Sequence, residues 1–176
     1  MSGRLRTLAR ASLALGAVLL AVAVAAYAVG VRFNYTESIA RGLYLASDFD
    51  PATARRGQLV EACPGPEAAE AVADYLPNGD CPGGVIPLGK EIAALPGDRV
   101  VVDSLGVAVE GVRLPNSAPL FRDRSGRPLS PRLGEHALGV GEYWLHSGRV
   151  RTSIDSRYVG PVSDVRSALR PLLVED

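Results

Sequence analysis

Lysine is almost missing from this 176-residue chain: its basic residues are eighteen arginines and one lysine, Lys90. Basic and acidic residues balance at 19 each, so no global field points toward nucleic acid or an acidic substrate, and partners must be argued locally. Only two cysteines and two histidines occur, with no C-x2-C pair and no H-E-x-x-H, and His136 and His146 stand ten apart, which leaves metal binding the weaker reading of them. No G-x-S-x-G elbow and no internal repeat is present, and helical periodicity is scarce beyond the N-terminus. At this length one compact domain buries a core without a metal or a dense disulfide framework.

Charge is absent altogether from residues 11 to 31, ASLALGAVLLAVAVAAYAVGV, which follow the arginine-rich MSGRLRTLAR. At about 1.5 Å per residue this run reaches roughly 31 Å, the hydrocarbon thickness of a bilayer. It reads as a transmembrane helix, residues 11–31, with residues 1–10 cytoplasmic by the positive-inside rule and residues 32–176 exported, which for a bacterium means the inner membrane and the periplasm. The alternative is a cleaved secretory signal, for which Ala26-Tyr27-Ala28 offers a small-x-small site; the run is longer than signal cores of about 7 to 15 residues.

An exported domain favours one disulfide between Cys63 and Cys81 over two free thiols. The residues they enclose read as a stapled insertion, 63–81: a short helix entered by Pro66, EAAEAVADYL, stopped by PNGDCPGG. Elsewhere short strands are expected at GLYLA 42–46, QLVEA 58–62, EIAAL 91–95, RVVVDS 99–104, VAVEGV 107–112 and EYWLHS 142–147, with SLG 104–106 turning a hairpin. The fold class expected is mainly β, an antiparallel domain with one or two short helices. The segment 122–136, RDRSGRPLSPRLGEH, is expected to be a solvated loop; its four arginines lack the aromatic interleaving of a nucleic-acid site, so no nucleic-acid partner is expected.

Three patterns carry candidate chemistry: Asn34 to Tyr44, with Thr36 and Ser38 two apart; Gly89 to Asp98, around Lys90; and Thr152 to Val162. A serine needs a base to attack a carbonyl at neutral pH. His146 sits in an alternating strand, where a tolerated strand histidine is the plainer reading, though a hydrolase using His146 and Asp155 stays open. Lys90 is the other base, flanked by apolar VIPLG and IAAL; burial there would lower its pKa from about 10.4 toward 7 to 8. Snorkelling to the surface beside Glu91 is the structural alternative.

Together the patterns resemble the signal peptidase I family of membrane-bound Ser-Lys peptidases. The closing motif S-x-D-S-R-Y-x-G is matched throughout by Ser153 to Gly160, and K-R-x-x-G-x-P-G-D by Lys90 and Pro96-Gly97-Asp98. RRGQLV at 55–60 is similar to a further block of the family, while the two cysteines, the inserted helix and CPGG look most like its conjugative-transfer branch, the TraF peptidases. Two positions depart from the pattern: Ile39-Ala40 replaces the common Met-Pro, and Glu91 stands where Arg often follows the lysine. The resemblance implies a signal-peptidase-type β domain in which Ser38 attacks the scissile carbonyl and Lys90 takes its proton. It implies that Ser153 orients the lysine, that the Thr36 hydroxyl and the Ser38 N–H form the oxyanion hole, and that Asp155 and Arg157 brace the site as an ion pair. No cofactor and no metal is implied. The implied partner is a membrane-tethered precursor, a conjugative pilin subunit with small residues near its cleavage site. A single-pass protein using the same scaffold as a non-catalytic assembly module of a secretion or conjugation apparatus is the alternative.

Overall fold

A computed structural model of the protein describes residues 3–175. Its first element is α1 (Gly3–Ala28), and from Ala11 onward the helix carries no charge and is apolar on every side rather than along one stripe. Within it Thr7–Ala28 is a 22-residue stretch long and apolar enough to cross a membrane. The helix stops at Ala28, and Gly30 takes a positive φ of 90°, so the last three residues of the uncharged run leave the helix.

From Phe33 onward the chain forms a separate compact unit. Its strands are β1 (Val31–Asn34, beginning just before that unit), β2 (Gly42–Ser47), β3 (Leu59–Cys63), β4 (Leu88–Ala94), β5 (Arg99–Asp103), β6 (Gly106–Val109), β7 (Val112–Arg113), β8 (Gly134–Ala137), β9 (Trp144–His146) and β10 (Asp164–Val174). Two short helices join them, α2 (Pro66–Val72) and α3 (Ser156–Val159). A six-stranded sheet runs β1-β2-β10-β3-β4-β9 and a four-stranded sheet β7-β6-β5-β8, and the registered pairs are antiparallel. The domain is mainly antiparallel β with short helices, as its turn spacing leads one to expect.

Period-two alternation selects the buried face of each strand. Val60 and Ala62 of β3 and Leu88 and Ile92 of β4 meet Leu145, Tyr158 and Val162 in the larger core. Val100, Val102, Val107 and Val109 build the second core under Trp144. The same alternation along β4 buries Leu88, Lys90, Ile92 and Ala94 on one face. Lys90 is therefore an inward-facing strand residue, which explains its burial without any special loop.

Several expected boundaries shift. Strand β4 begins at Leu88 rather than Glu91 and so contains the lysine. VAVEGV is not one strand: Glu110 and Gly111 take φ of 48° and 80°, turning the chain tightly so that Val109 faces Val112. The inserted helix ends at Val72 and continues as a single 3-10 turn to Tyr75. The 122–136 segment is not all loop, since Arg122 bridges Pro128 and β8 starts at Gly134. Cys63 and Cys81 are joined in a disulfide that ties the end of β3 to the approach of β4, with Ala69 and Val85 packed on it.

Candidate active site

Asn34, at the end of β1, organises the loop that carries Ser38. Its amide Nδ2 donates to the carbonyls of Thr36 (2.9 Å), Ile39 (3.1 Å) and Ala40 (3.0 Å), while its Oδ1 accepts from the Thr36 N–H (3.2 Å) and the Thr36 hydroxyl (2.8 Å). Five polar groups that would otherwise compete for water are thus satisfied by one side chain. Ile39 is buried with Tyr44 and Leu169, and its Cδ1 lies 3.4 Å from where a Cβ on Gly89 would stand. The Ser38 loop therefore rests on Gly89, the residue preceding Lys90.

Two serines reach Ser38 from the other side. The Ser153 hydroxyl lies 3.1 Å from the Ser38 hydroxyl, and the Ser147 hydroxyl donates to the Ser38 carbonyl at 2.7 Å. Lys90 is 5% exposed and its amine donates to the Gly89 carbonyl at 3.1 Å. Burial pulls its pKa down to about 8; the negative Asp155 resists that shift and the positive Arg157 adds to it.

Asp155 caps α3, accepting the Arg157 N–H at 3.1 Å, and receives a bidentate guanidinium at 2.8 Å on each oxygen. Burial alone would raise the Asp155 pKa, but the nearby His146 and the Arg157 fork hold it at about 2. Of these two, Arg157 is the firm partner: His146 Nδ1 approaches Asp155 only to 3.4 Å and has no geometrically formed hydrogen bond, whereas both Arg157 bonds are short and direct. Arg157 also donates to the carbonyls of Ala118 (3.3 Å), Arg151 (3.1 Å) and Ser153 (3.1 Å), so the buried pair ties the segment bearing Ser153 to its neighbours.

His146 spends its Nε2 on the Pro115 carbonyl at 2.9 Å. Its Nδ1 faces Asp155 at 3.4 Å, so both ring nitrogens point to groups other than Ser38. His136 lies on β8 in the other sheet, apart from His146 on β9. A cleft of about 490 Å³ bordered by Glu37, Ile39, Arg149 and Val150 flanks the Ser38 loop, and a second of about 280 Å³ runs past Thr152 and Ile154 toward Tyr75 and Leu129.

The profile of the signal peptidase family, peptidase S26, matches residues 4–167. The chain belongs to the S26 signal peptidases. Among relatives of this S26 peptidase, the plasmid transfer protein TraF of Escherichia coli is 39% identical over 165 residues, covering 90% of this chain and 91% of that protein. The probable conjugal transfer protein TraF of Sinorhizobium fredii is 40% identical over 141 residues, covering 78% and 73% respectively. A signal peptidase I of Enterococcus faecalis superposes with a TM-score of 0.39 at 18% identity, covering 70% of this chain and all of that one.

Against the residues singled out in the sequence, the S26 domain brings the Ser38 and Ser153 hydroxyls within 3.1 Å, and buries Lys90 within β4 and Asp155 and Arg157 at the start of α3. Two details differ from the expected roles. Ser153, expected to orient the lysine, has its hydroxyl 3.1 Å from that of Ser38, and the Thr36 hydroxyl, expected at the oxyanion, donates to Asn34. Asn34 and Ser147 were not singled out. An Asn closing a strand just before a T-x-S turn is a usable Asx-turn signal for the first; nothing local marks the second, whose contact with Ser38 spans 109 residues.

Proposed function

We propose that the protein is a membrane-bound serine endopeptidase in which Ser38 is the nucleophile and Lys90 the general base. The observation that carries this reading is a buried lysine with its pKa lowered to about 8, next in sequence to the Gly89 on which the Ser38 loop packs, together with a Ser38 hydroxyl already within hydrogen-bond distance of a second one. An amine near that value is neutral in a useful fraction of molecules at neutral pH and strong enough to take the hydroxyl proton.

In the proposed reaction the neutral Lys90 accepts the Ser38 proton as Oγ attacks the scissile carbonyl, with Ser153 steering the hydroxyl and the amine toward each other. The Ser38 N–H and the Thr36 hydroxyl, once rotated off Asn34, stabilise the oxyanion, a contribution of about 3 kcal/mol per donor. Lys90 then returns the proton to the leaving amine, and water or another amine releases the acyl group. Asp155 and Arg157 hold the frame. The precursor binds as an added strand with small side chains, as in Ala-x-Ala, beside the cleft that flanks the Ser38 loop.

The substrate is proposed to be a membrane-tethered precursor, specifically a conjugative pilin subunit, which fits the plasmid and conjugal transfer names of the relatives. With α1 spanning the inner membrane and its arginines cytoplasmic, the rest of the chain lies in the periplasm, where the Cys63–Cys81 disulfide is stable. Ser38 follows Ala28 by ten residues, a tether of at most about 35 Å, so attack occurs near the lipid surface.

The test is incubation of the detergent-solubilised protein with candidate pilin precursors, reading product masses. Wild type and His146→Ala cut, whereas Ser38→Ala and Lys90→Ala leave the precursor whole. Cleavage that survives Lys90→Ala but not His146→Ala refutes the dyad. A protein that cuts nothing yet supports pilus assembly as Ser38→Ala is an assembly module instead.

A further inference from the structure

We propose that Ser147 is a positioning residue for the reaction: its hydroxyl clamps the Ser38 carbonyl and so mounts the nucleophile on the strand opposite the base. The inference rests on the peptidase reading of Ser38. Ser147 is 1% exposed, and its hydroxyl has one proton, which goes to the Ser38 carbonyl at 2.7 Å. Its backbone N–H meanwhile donates to Asp155 Oδ2 at 3.2 Å. One residue therefore faces the buried ion pair with its main chain and the nucleophile with its side chain.

The strand register gives that contact its meaning. β4 and β9 pair with Ile92 opposite Leu145 and Glu91 opposite His146, where the ladder ends; Lys90 and Ser147 are the next residues along their chains from that last pair. Asn34 ties the 36–40 loop to β1, and Tyr44 of β2 donates its hydroxyl to the Ala40 carbonyl at 2.6 Å, so these bonds fix the loop to the β1-β2 edge of the sheet and leave its placement against β4 and β9 to other contacts. Ile39 packing supplies adhesion, which is non-directional. The Ser147 bond is directional, and it attaches Ser38 at the level of Lys90. The separation of hydroxyl and amine is then set by a sheet ladder instead of by a mobile loop.

The test uses the full chain in detergent micelles. Ser147→Ala removes the clamp and leaves the main-chain bond to Asp155 in place. Its kcat is expected to fall by about 10- to 100-fold, the range a small misplacement of reacting groups costs, with KM little changed. The rising limb of the pH profile near pH 8 is expected to stay where it is, because the charges around Lys90 are untouched. Ser147→Thr, which keeps the hydroxyl, is expected to recover most of the rate. Labelling serine carbonyl carbon and isoleucine nitrogen isolates two Ser-Ile peptides, 38–39 and 153–154. Ser147→Ala is expected to shift the Ser38 carbonyl signal and leave the Ser153 one in place. An unmoved Ser38 signal, an unchanged kcat, or a limb displaced together with both carbonyl signals overturns the proposal. A wild-type protein that cuts nothing overturns the peptidase reading and this one with it, whereas a fully active Ser147→Ala beside an active wild type overturns this one alone.

Discussion

Lys90 shares the inward face of β4 with Leu88, Ile92 and Ala94, so its ammonium forfeits hydration and gains in return the Gly89 carbonyl and the attraction of Asp155, which together do not make up the loss. Its folded pKa, about 8, lies below the ordinary 10.5, which means the folded state resists protonation of this group more than the unfolded chain does. The penalty is fully present below pH 8 and is relieved as pH rises toward 10.5, so wild-type stability should climb across that window by roughly 3 kcal/mol. Lys90→Met should be inactive, more stable than wild type below pH 8 by a similar amount, and flat across the window; denaturant titrations at several pH values check it. The kcat/KM of wild type should rise with unit slope through about pH 8. In Asp155→Asn the same limb should move to lower pH, since the carboxylate favours the ammonium and its loss leaves Arg157 unopposed.

The disulfide acts on a whole element. It closes a separation of 18 residues between the end of β3 and the loop before β4, and within it α2 lays Ala68 and Val72 against Tyr158 and Val159 of α3. Replacing both cysteines with alanine should cost about 3 kcal/mol by calorimetry, through the freed unfolded chain, with kcat/KM falling much less than stability. These elements also mark what the sequence made readable. Strands with clean alternation between Gly and Asp stops, β2, β3 and β5, stand close to where the pattern put them, and Lys90 was visible because a lone amine interrupts an apolar run. Strand β10 was not read at all: Arg166, Arg170 and Pro171 blur its apolar face, and its stability comes from partners on both sides, with Ala168 opposite both Ser47 and Val60. Ser147 was hidden for the same reason, since its role exists only once β9 lies beside β4 and the Ser38 loop.

The apolar helix and the candidate site residues fall in separate units of the chain. The unit beginning at Phe33 contains both cores and the site residues from Asn34 to Arg157, so a chain lacking residues 1–30 should stay folded and still cleave a soluble peptide. On precursor embedded in vesicles the shortened chain should be slower by about tenfold or more, because co-confinement on one surface raises effective concentration; equal rates on both substrates would refute a role for the tether. Strand β10 has a different consequence. It lies between β2 and β3, although every other strand precedes it in the chain. During synthesis the chain therefore holds two unfinished half-sheets, with the loop of Ser38 on one and the strand of Lys90 on the other, until residue 174 has been added. Until that last strand slots in, a newborn chain carries its candidate hydroxyl and amine on two sheet edges that β10 has yet to bridge.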